Sequence, residues 1–320
     1  MEFFKQNKKA KAELNSGFGT SATNYGGRFV NKDGSANIRK RGLSFFDRIS
    51  WYHTMLDMPT WKFLSILFGF YFAINLVFAS LYYLIGIEYL NGIDNNGSEW
   101  LKFGKAYFFS AQTFTTVGYG HISPNGFATS TLAAAEALVG LLSFSIATGL
   151  FFGRFSRPRA YIKFSDCAVI APYRGGTALM LRLVPFKNTN LTDAYVKITL
   201  GMVVEEDGKK VNKFYQLPLE MQHVNLLTLS WTVVHPITEE SPLYQFTAAD
   251  FVKIEGEILV FIKAFDEMFC TTVAANSSYL FTEIKYGAKF NMMYFDAPDD
   301  TITILELDKL NDVTEVELPN

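Results

Sequence analysis

The sequence predicts a chain of membrane α plus β class, with two membrane-spanning helices around a re-entrant segment and a β-sandwich behind them. Three observations predict it: two long apolar stretches in the first half, a shorter one between them, and short runs of alternating apolar and polar residues after Pro158. Composition agrees. The 320 residues are 49% hydrophobic, 16% aromatic and only 19% charged, too apolar for an ordinary soluble chain and too polar for a pure membrane bundle, which implies two parts facing different solvents. A net charge of −2 excludes the broadly basic surface that nucleic-acid binding requires.

Residues 1–43 form a cytoplasmic N-terminal arm. Its first part, basic and polar and without the apolar core of a secretory signal, reads as mobile. In residues 44–59, Phe45, Ile49, Tyr52 and Leu56 share one helical face while Asp47, Arg48, Ser50, Thr54 and Asp57 fall largely elsewhere. That pattern suits a slide helix lying in the membrane interface, with Trp51 and Trp61 as anchors. A soluble helix carries the same pattern, and the span that follows favours the interface.

The pore domain covers residues 60–158. Phe63 to Ile87 carry no charge, and as a helix they extend about 37 Å at roughly 1.5 Å per residue, enough to cross a bilayer. They define an outer helix over 60–87. An inner helix over 124–153 follows from the stretch Ile122 to Gly153, which has Glu136 as its only acid and stops at Arg154, Arg157 and Arg159. Between them Ala106 to Phe114 is too short to cross, so a re-entrant pore helix and loop are expected over 103–120. Lys and Arg crowd residues 1–60 and the exit of the inner helix, whereas the intervening loop has only Lys102 and Lys105, which places both termini in the cytoplasm.

Residues 159–320 read as one cytoplasmic β-sandwich. Val196 to Leu200 and Thr301 to Ile304 alternate as half-buried strands do, and turn-formers such as Asp207-Gly208 and Ala297-Pro298-Asp299-Asp300 separate them. About nine or ten short strands are expected. Cys167 and Cys270 stand far from any metal-ligand spacing and read as buried, reduced thiols.

The re-entrant segment ends in Thr116-Val117-Gly118-Tyr119-Gly120. A dehydrated potassium ion needs about eight oxygens, which four copies of such a loop around an axis supply as stacked rings of backbone carbonyls. The two glycines permit backbone conformations closed to residues with a Cβ. Thr116 adds hydroxyl oxygens at the inner end, and Val117 and Tyr119 point away from the axis. The C-terminal end of the short helix, near Phe114, aims partial negative charge at the cavity. K+ is therefore the expected permeant ion, the chain is expected to work as a homotetramer, and no cofactor is implied.

Phe144, Thr148 and Phe152 share one face of the inner helix at i, i+4 and i+8. If that face lines the pore, Phe144 and Thr148 belong to the cavity, and a ring of Phe152 side chains gates the cytoplasmic mouth by dewetting. Lipid-facing or packing phenylalanine is the alternative. Gly149 reads as a hinge or as a site of close helix packing. Glu136 reads as a hydrogen-bond partner of the pore helix, with an ion site the alternative.

These residues resemble the inward rectifier potassium channel family, bacterial branch. The resemblance rests on the filter together with Arg28 to Asn37, Arg154-Phe155-Ser156-Arg157-Pro158-Arg159-Ala160, Ser241-Pro242-Leu243-Tyr244, Ser278-Tyr279-Leu280 and Glu283-Ile284. It implies a homotetramer with an immunoglobulin-like cytoplasmic sandwich. It also implies regulation by anionic membrane lipid at the matching cations Arg154, Arg157 and Arg159, with Arg39, Lys40 and Arg41; setting topology alone is the other reading of these charges. Glu267 matches an acidic position of the family's cytoplasmic pore, where multivalent cations would block weakly. Strong rectifiers carry an acid or amide where this chain has Phe144, so weak rectification is expected. Gln112 replaces an acid of animal members, and His121 follows the filter at a variable position. The extracellular cysteines of animal members are missing, which points to a bacterial inner membrane.

Two rival classes remain open on sequence alone: a membrane-anchored cytoplasmic sensor or binding module with a non-conducting pore, and an enzyme. Against the enzyme, His53, His121, His223 and His235 are scattered and assemble no nucleophile, base and orienter set.

Overall fold

The computed structural model describes residues 7, 9–10, 28–39, 41–42, 50–93, 97–187, 189–206, 209–297 and 302–319. Lys40, the slide-helix residues 44–49 and the turns at 207–208 and 298–300 lie outside the described residues. The chain divides into two compact units, one spanning 41–157 and the other combining 158–320 with the N-terminal 40 residues.

The first unit is helical. Helix α1 (Trp51–Asp57) gives way to α2 (Thr60–Ile85) at Pro59, which has no N–H to continue a helix and holds Met58 extended at ψ 155°. The re-entrant helix α3 (Glu99–Phe114) is longer than its apolar core, because its first turns interleave the charged Glu99, Lys102 and Lys105 with Trp100, Leu101 and Phe103, and Lys102 Nζ donates to Glu99 Oε1 at 3.0 Å. Helix α4 (Phe127–Phe155) starts and ends later than expected. Ser123–Pro124 is held as strand β2 against β1 (Leu90–Asn91), and no breaker precedes Pro158, so Arg154 sits inside the last turn. Helices α2 and α4 are long and apolar enough to cross a membrane.

Between spans in lipid, apolar surface gains nothing by association, so close packing and polar contacts must hold helices together. Helix α3 packs on α2 through Phe78, Ala79, Tyr82, Ala106 and Phe109, with the Tyr82 and Phe109 rings edge-on at 5.1 Å. Helix α4 comes still closer. A Cβ at Gly140 would collide with the carbonyl oxygen of Phe114, the last residue of α3.

The second unit is the sandwich. One five-stranded sheet runs in the order β11-β10-β6-β7, with β8 also on β6, formed by β6 (Leu191–Glu206), β7 (Lys209–Leu217), β8 (His223–Leu227), β10 (Gly256–Asp266) and β11 (Thr271–Leu280). The other runs β12-β4-β5-β3, with β9 also on β5, from β3 (Ile162–Phe164), β4 (Ala168–Tyr173), β5 (Gly176–Pro185), β9 (Trp231–Pro236) and β12 (Ile284–Tyr286). All pairs are antiparallel except β4 with β12. Inward positions spaced by two build the core, Leu179, Leu181 and Leu183 from one sheet and Ile258, Val260 and Ile262 from the other. A short helix α5 (Ala248–Lys253) and two ribbons, β13 (Ala288–Phe290) with β16 (Val313–Glu315) and β14 (Tyr294–Asp296) with β15 (Thr303–Leu305), complete it.

Two expectations need correction. The N-terminal arm is not free where it is described: Asn7 Nδ2 donates to the carbonyls of Glu239 at 2.7 Å and Ser241 at 2.9 Å, Lys9 pairs with Glu239 at 2.6 Å, and Ala10 packs on the sandwich core. Further on, the backbone N–H groups of Phe29 and Val30 donate to the buried carboxylate of Glu257 at 2.7 and 3.2 Å, and Arg28 pairs with Glu283. The arm docks here by supplying hydrogen-bond donors to carbonyl and carboxylate acceptors of the sandwich. Of the cysteines, Cys167 is buried, which pushes its thiol pKa up, but Cys270 is exposed in the β10–β11 turn at φ 48°.

Candidate ion pathway

The filter segment leaves α3 through a tight turn. Thr116 N donates to the Thr113 carbonyl at 3.0 Å, and the Gln112 carbonyl accepts from Val117 N at 2.9 Å and Gly118 N at 3.3 Å. Thr116, Gly118 and Gly120 take φ of 58°, 53° and 77°, while Val117 and Tyr119 do not have positive φ. Positive φ at every second residue is a pattern that can turn successive carbonyls to one side of the loop, the arrangement a cation needs. At Gly118 and Gly120 no Cβ opposes that conformation; Thr116 adopts it with a side chain, a local strain of the kind kept at functional sites. Val117 and Tyr119 are 52% and 78% exposed in the single chain, and His121 is exposed directly after them. Gln112 thus acts through its backbone carbonyl, as a seat for the loop.

On α4, Phe144, Thr148, Gly149 and Phe152 all lie on exposed surface, Phe144 at 73% and Phe152 at 72%. The helix runs unbroken through Gly149, where a Cβ would meet nothing within 4 Å, so this glycine serves no close packing within the chain. The close-packing glycine is Gly140 instead.

Phe152 and Arg154 are two residues apart, so at 3.6 residues per turn they point about 160° apart. Arg154 faces the α1–α2 corner. Its Nη1 donates to the carbonyls of Met55 at 2.7 Å and Leu56 at 3.2 Å, its Nη2 donates to Met58 O at 2.9 Å, and its guanidinium lies 4.7 Å from the centre of the Phe63 ring. These are the carbonyls left unpaired where α1 ends. Arg157 pairs with Asp57. Arg39, Arg41 and Arg159 are exposed and have no hydrogen-bond or ion-pair partner among the described residues.

Glu136 is fully buried, and the hydrogen bond expected to the pore helix is present: Ser110 of α3 contacts its Oε1, while Tyr82 of α2 donates to its Oε2 at 2.7 Å. Ser110 Oγ also lies 3.0 Å from Asn75 Oδ1 and 3.3 Å from the Asn75 carbonyl oxygen. Asn75, Ser110 and Glu136 each interrupt an apolar run, a signal present in the sequence, and only Glu136 is ionisable. The carbonyls gripped by Arg154 carried no sequence signal.

In the sandwich, Glu267 is exposed in the β10–β11 turn, where its Oε2 accepts from Asn190 Nδ2 at 3.2 Å. At the other end of β11, three segments that carry the family resemblance meet in the folded unit: Arg28 to Asn37 lies on β11 and its exit, with Arg28 paired to Glu283, Ser278 Oγ donating to the Val30 carbonyl and Lys32 5.0 Å from the Tyr279 ring centre. A fourth, Ser241, contacts Nε2 of the buried His235 through its hydroxyl at 2.8 Å, and Nδ1 of the same ring faces the Pro218 carbonyl at 2.6 Å. Burial lowers the His235 pKa to about 4. Among the described residues no group of His, Cys, Asp and Glu is placed to hold a metal ion.

The chain is similar to known proteins along most of its length. Residues 162–320 match the model of the inward rectifier potassium channel C-terminal domain, and residues 70–157 match an ion channel model. The inward rectifier potassium channel Kirbac3.1 of Paramagnetospirillum magnetotacticum is 33% identical over 293 residues, covering 90% of this chain and 96% of that protein. The inward rectifier potassium channel irk-1 of Caenorhabditis elegans is 26% identical over 83% of this chain and 53% of its own. The ATP-sensitive inward rectifier potassium channel 12 of Gallus gallus is also 26% identical, over 84% and 68% respectively.

Proposed function

The chain belongs to the inward rectifier potassium channel family, and from that premise we propose that four copies form a potassium-selective pore whose filter is Thr116 to Gly120. The observation that carries this reading is the alternating φ along the filter loop, at the C-terminal end of a re-entrant helix. Potassium is the permeant ion, and both termini face the cytoplasm of a bacterial inner membrane.

Phe152 gates the inner mouth, on the helix face opposite the Arg154 anchor, and Phe144 and Thr148 line the cavity above it. An apolar cavity residue offers a polyamine no counter-charge, so rectification is weak, with Glu267 leaving a residual cytoplasmic site for multivalent cations. Anionic lipid regulates the channel through Arg39, Lys40, Arg41, Arg157 and Arg159. Arg154, with its guanidinium on backbone carbonyls, contributes to that response by fixing α1 against α4.

Reconstituted vesicles test the reading. A potassium gradient drives flux that sodium does not replace and that barium blocks. Equal sodium and potassium flux overturns it, and no flux in any lipid favours the membrane-anchored sensor.

A further inference from the structure

We propose that Glu136 stands protonated and acts as a positioning residue, donating one hydrogen bond to Ser110 and so tying the filter-bearing helix α3 to both spans. The argument is an inventory of protons. Asn75 Nδ2 donates to the Tyr71 carbonyl at 2.7 Å, which fixes the amide with Oδ1 toward Ser110. Ser110 Oγ is then surrounded by three oxygens: Glu136 Oε1, Asn75 Oδ1 at 3.0 Å and Asn75 O at 3.3 Å. A serine hydroxyl has a single proton.

With an ionised Glu136 the inventory fails. Tyr82 donates to Oε2, Ser110 donates to Oε1, and the Asn75 Oδ1 atom is left facing Ser110 with no proton between them. All of Asn75, Ser110 and Glu136 are fully buried or within rounding of it, so no solvent makes up the deficit. One added proton on Oε1 repairs every contact. Tyr82 donates to Oε2, Glu136 donates from Oε1 to Ser110 Oγ, and Ser110 donates to Asn75 Oδ1. The chain then crosses from α4 through α3 to α2 with one proton per contact.

The charge environment agrees. Facing Glu136 from α2 are Tyr82 and Asn75, and from α3 Ser110, none of them charged. The remaining charged residues of the three helices, Lys62, Glu99, Lys102, Lys105 and Arg154, form no ion pair with it. A lone carboxylate held by two hydroxyls in hydrocarbon is costly, whereas a neutral acid in a complete hydrogen-bond chain is not. Ser110 lies one helical turn before Phe114, where α3 hands over to the filter, and the Phe114 carbonyl is the group against which Gly140 of α4 packs. The same two helices are therefore joined at two successive turns, by a proton and by a backbone contact.

The conduction arm of the test rests on the pore reading, but the spectroscopic arm does not. The infrared difference spectrum of the tetramer in lipid vesicles at neutral pH, wild type minus Glu136→Gln, contains the carbonyl stretch of a protonated carboxylic acid. Glutamine reproduces the proposed pattern, since Nε2 donates to Ser110 and Oε1 accepts from Tyr82. Glu136→Gln therefore retains wild-type potassium flux, while Ser110→Ala, which removes the relay, lowers it about tenfold, as one lost buried hydrogen bond predicts. A carboxylate band in place of the acid band overturns the proposal. So does a Glu136→Gln tetramer that assembles but conducts no better than Ser110→Ala. Absence of flux in the wild type would count against the pore reading and leave the spectral result to decide the proton.

Discussion

Arg154, in the last turn of the inner span, donates from Nη1 to the carbonyl oxygen of Met55 at 2.7 Å, and the same guanidinium reaches Leu56 and Met58. A cation read in sequence as a lipid contact is thereby a cap for α1. Replacing Arg154 with Ala orphans three carbonyls, and we expect the detergent-solubilised tetramer to lose about 2 to 4 kcal/mol. Thermal dissociation should fall equally with and without anionic lipid. Arg159→Ala, at an exposed side chain, should leave that stability unchanged and weaken the flux response to anionic lipid. The opposite assignment of the two effects would return Arg154 to the lipid site.

Gly140 is the point where α4 passes the end of α3. A Cβ there has no room beside the Phe114 carbonyl, and α3 must move for it to fit. Overpacking of this kind costs about 1 to 3 kcal/mol. Because Phe114 stands just before the filter, Gly140→Ala should reduce potassium flux and its preference over sodium, whereas Gly149→Ala, with open space around it, should reduce neither. Equal effects from both would remove the special role of Gly140.

Phe144 and Phe152 are exposed in the single chain, as pore-lining and lipid-facing residues alike would be. Conduction separates the two. Phe144→Asp should strengthen voltage-dependent spermine block at least about tenfold, the factor that 1.4 kcal/mol of added attraction yields. Unchanged block would move Phe144 out of the cavity. Phe152→Ala should raise basal flux, and an unchanged rate would locate the constriction elsewhere.

His235 makes the sandwich acid-sensitive. Its pKa falls from 6.5 to about 4 on folding because the ring is buried. The unfolded chain therefore binds the proton first, so this stability is complete above pH 6.5 and is lost as pH drops toward 4. The total at stake is about 3 kcal/mol. Melting of wild type and His235→Gln across that interval should converge as the pH falls; a constant gap would mean that His235 does not titrate with unfolding.

Much of the fold was legible because its signals are local. Long apolar stretches mark α2 and α4, and alternation in Val196 to Leu200 marks a strand whose register on β10 then follows from burying one face. Boundaries were less legible. Apolarity identified Ala106 to Phe114, yet α3 begins at Glu99, since Glu99, Lys102 and Lys105 interrupt the apolar run without interrupting the helix. Exposure of Cys270 was illegible too, because an exposed turn and a buried strand can carry the same residue.

By itself the sequence determined the two spans, the sandwich and the family, and located the Thr116 to Gly120 loop proposed as the filter, since each rests on residue type and spacing along the chain. Tertiary structure decided which of several equivalent-looking residues does which task. Arg154 and Arg159 are alike in sequence, and so are Gly140 and Gly149. They differ in whether a carbonyl oxygen from another helix lies against them, and that depends on contacts between segments distant in the chain.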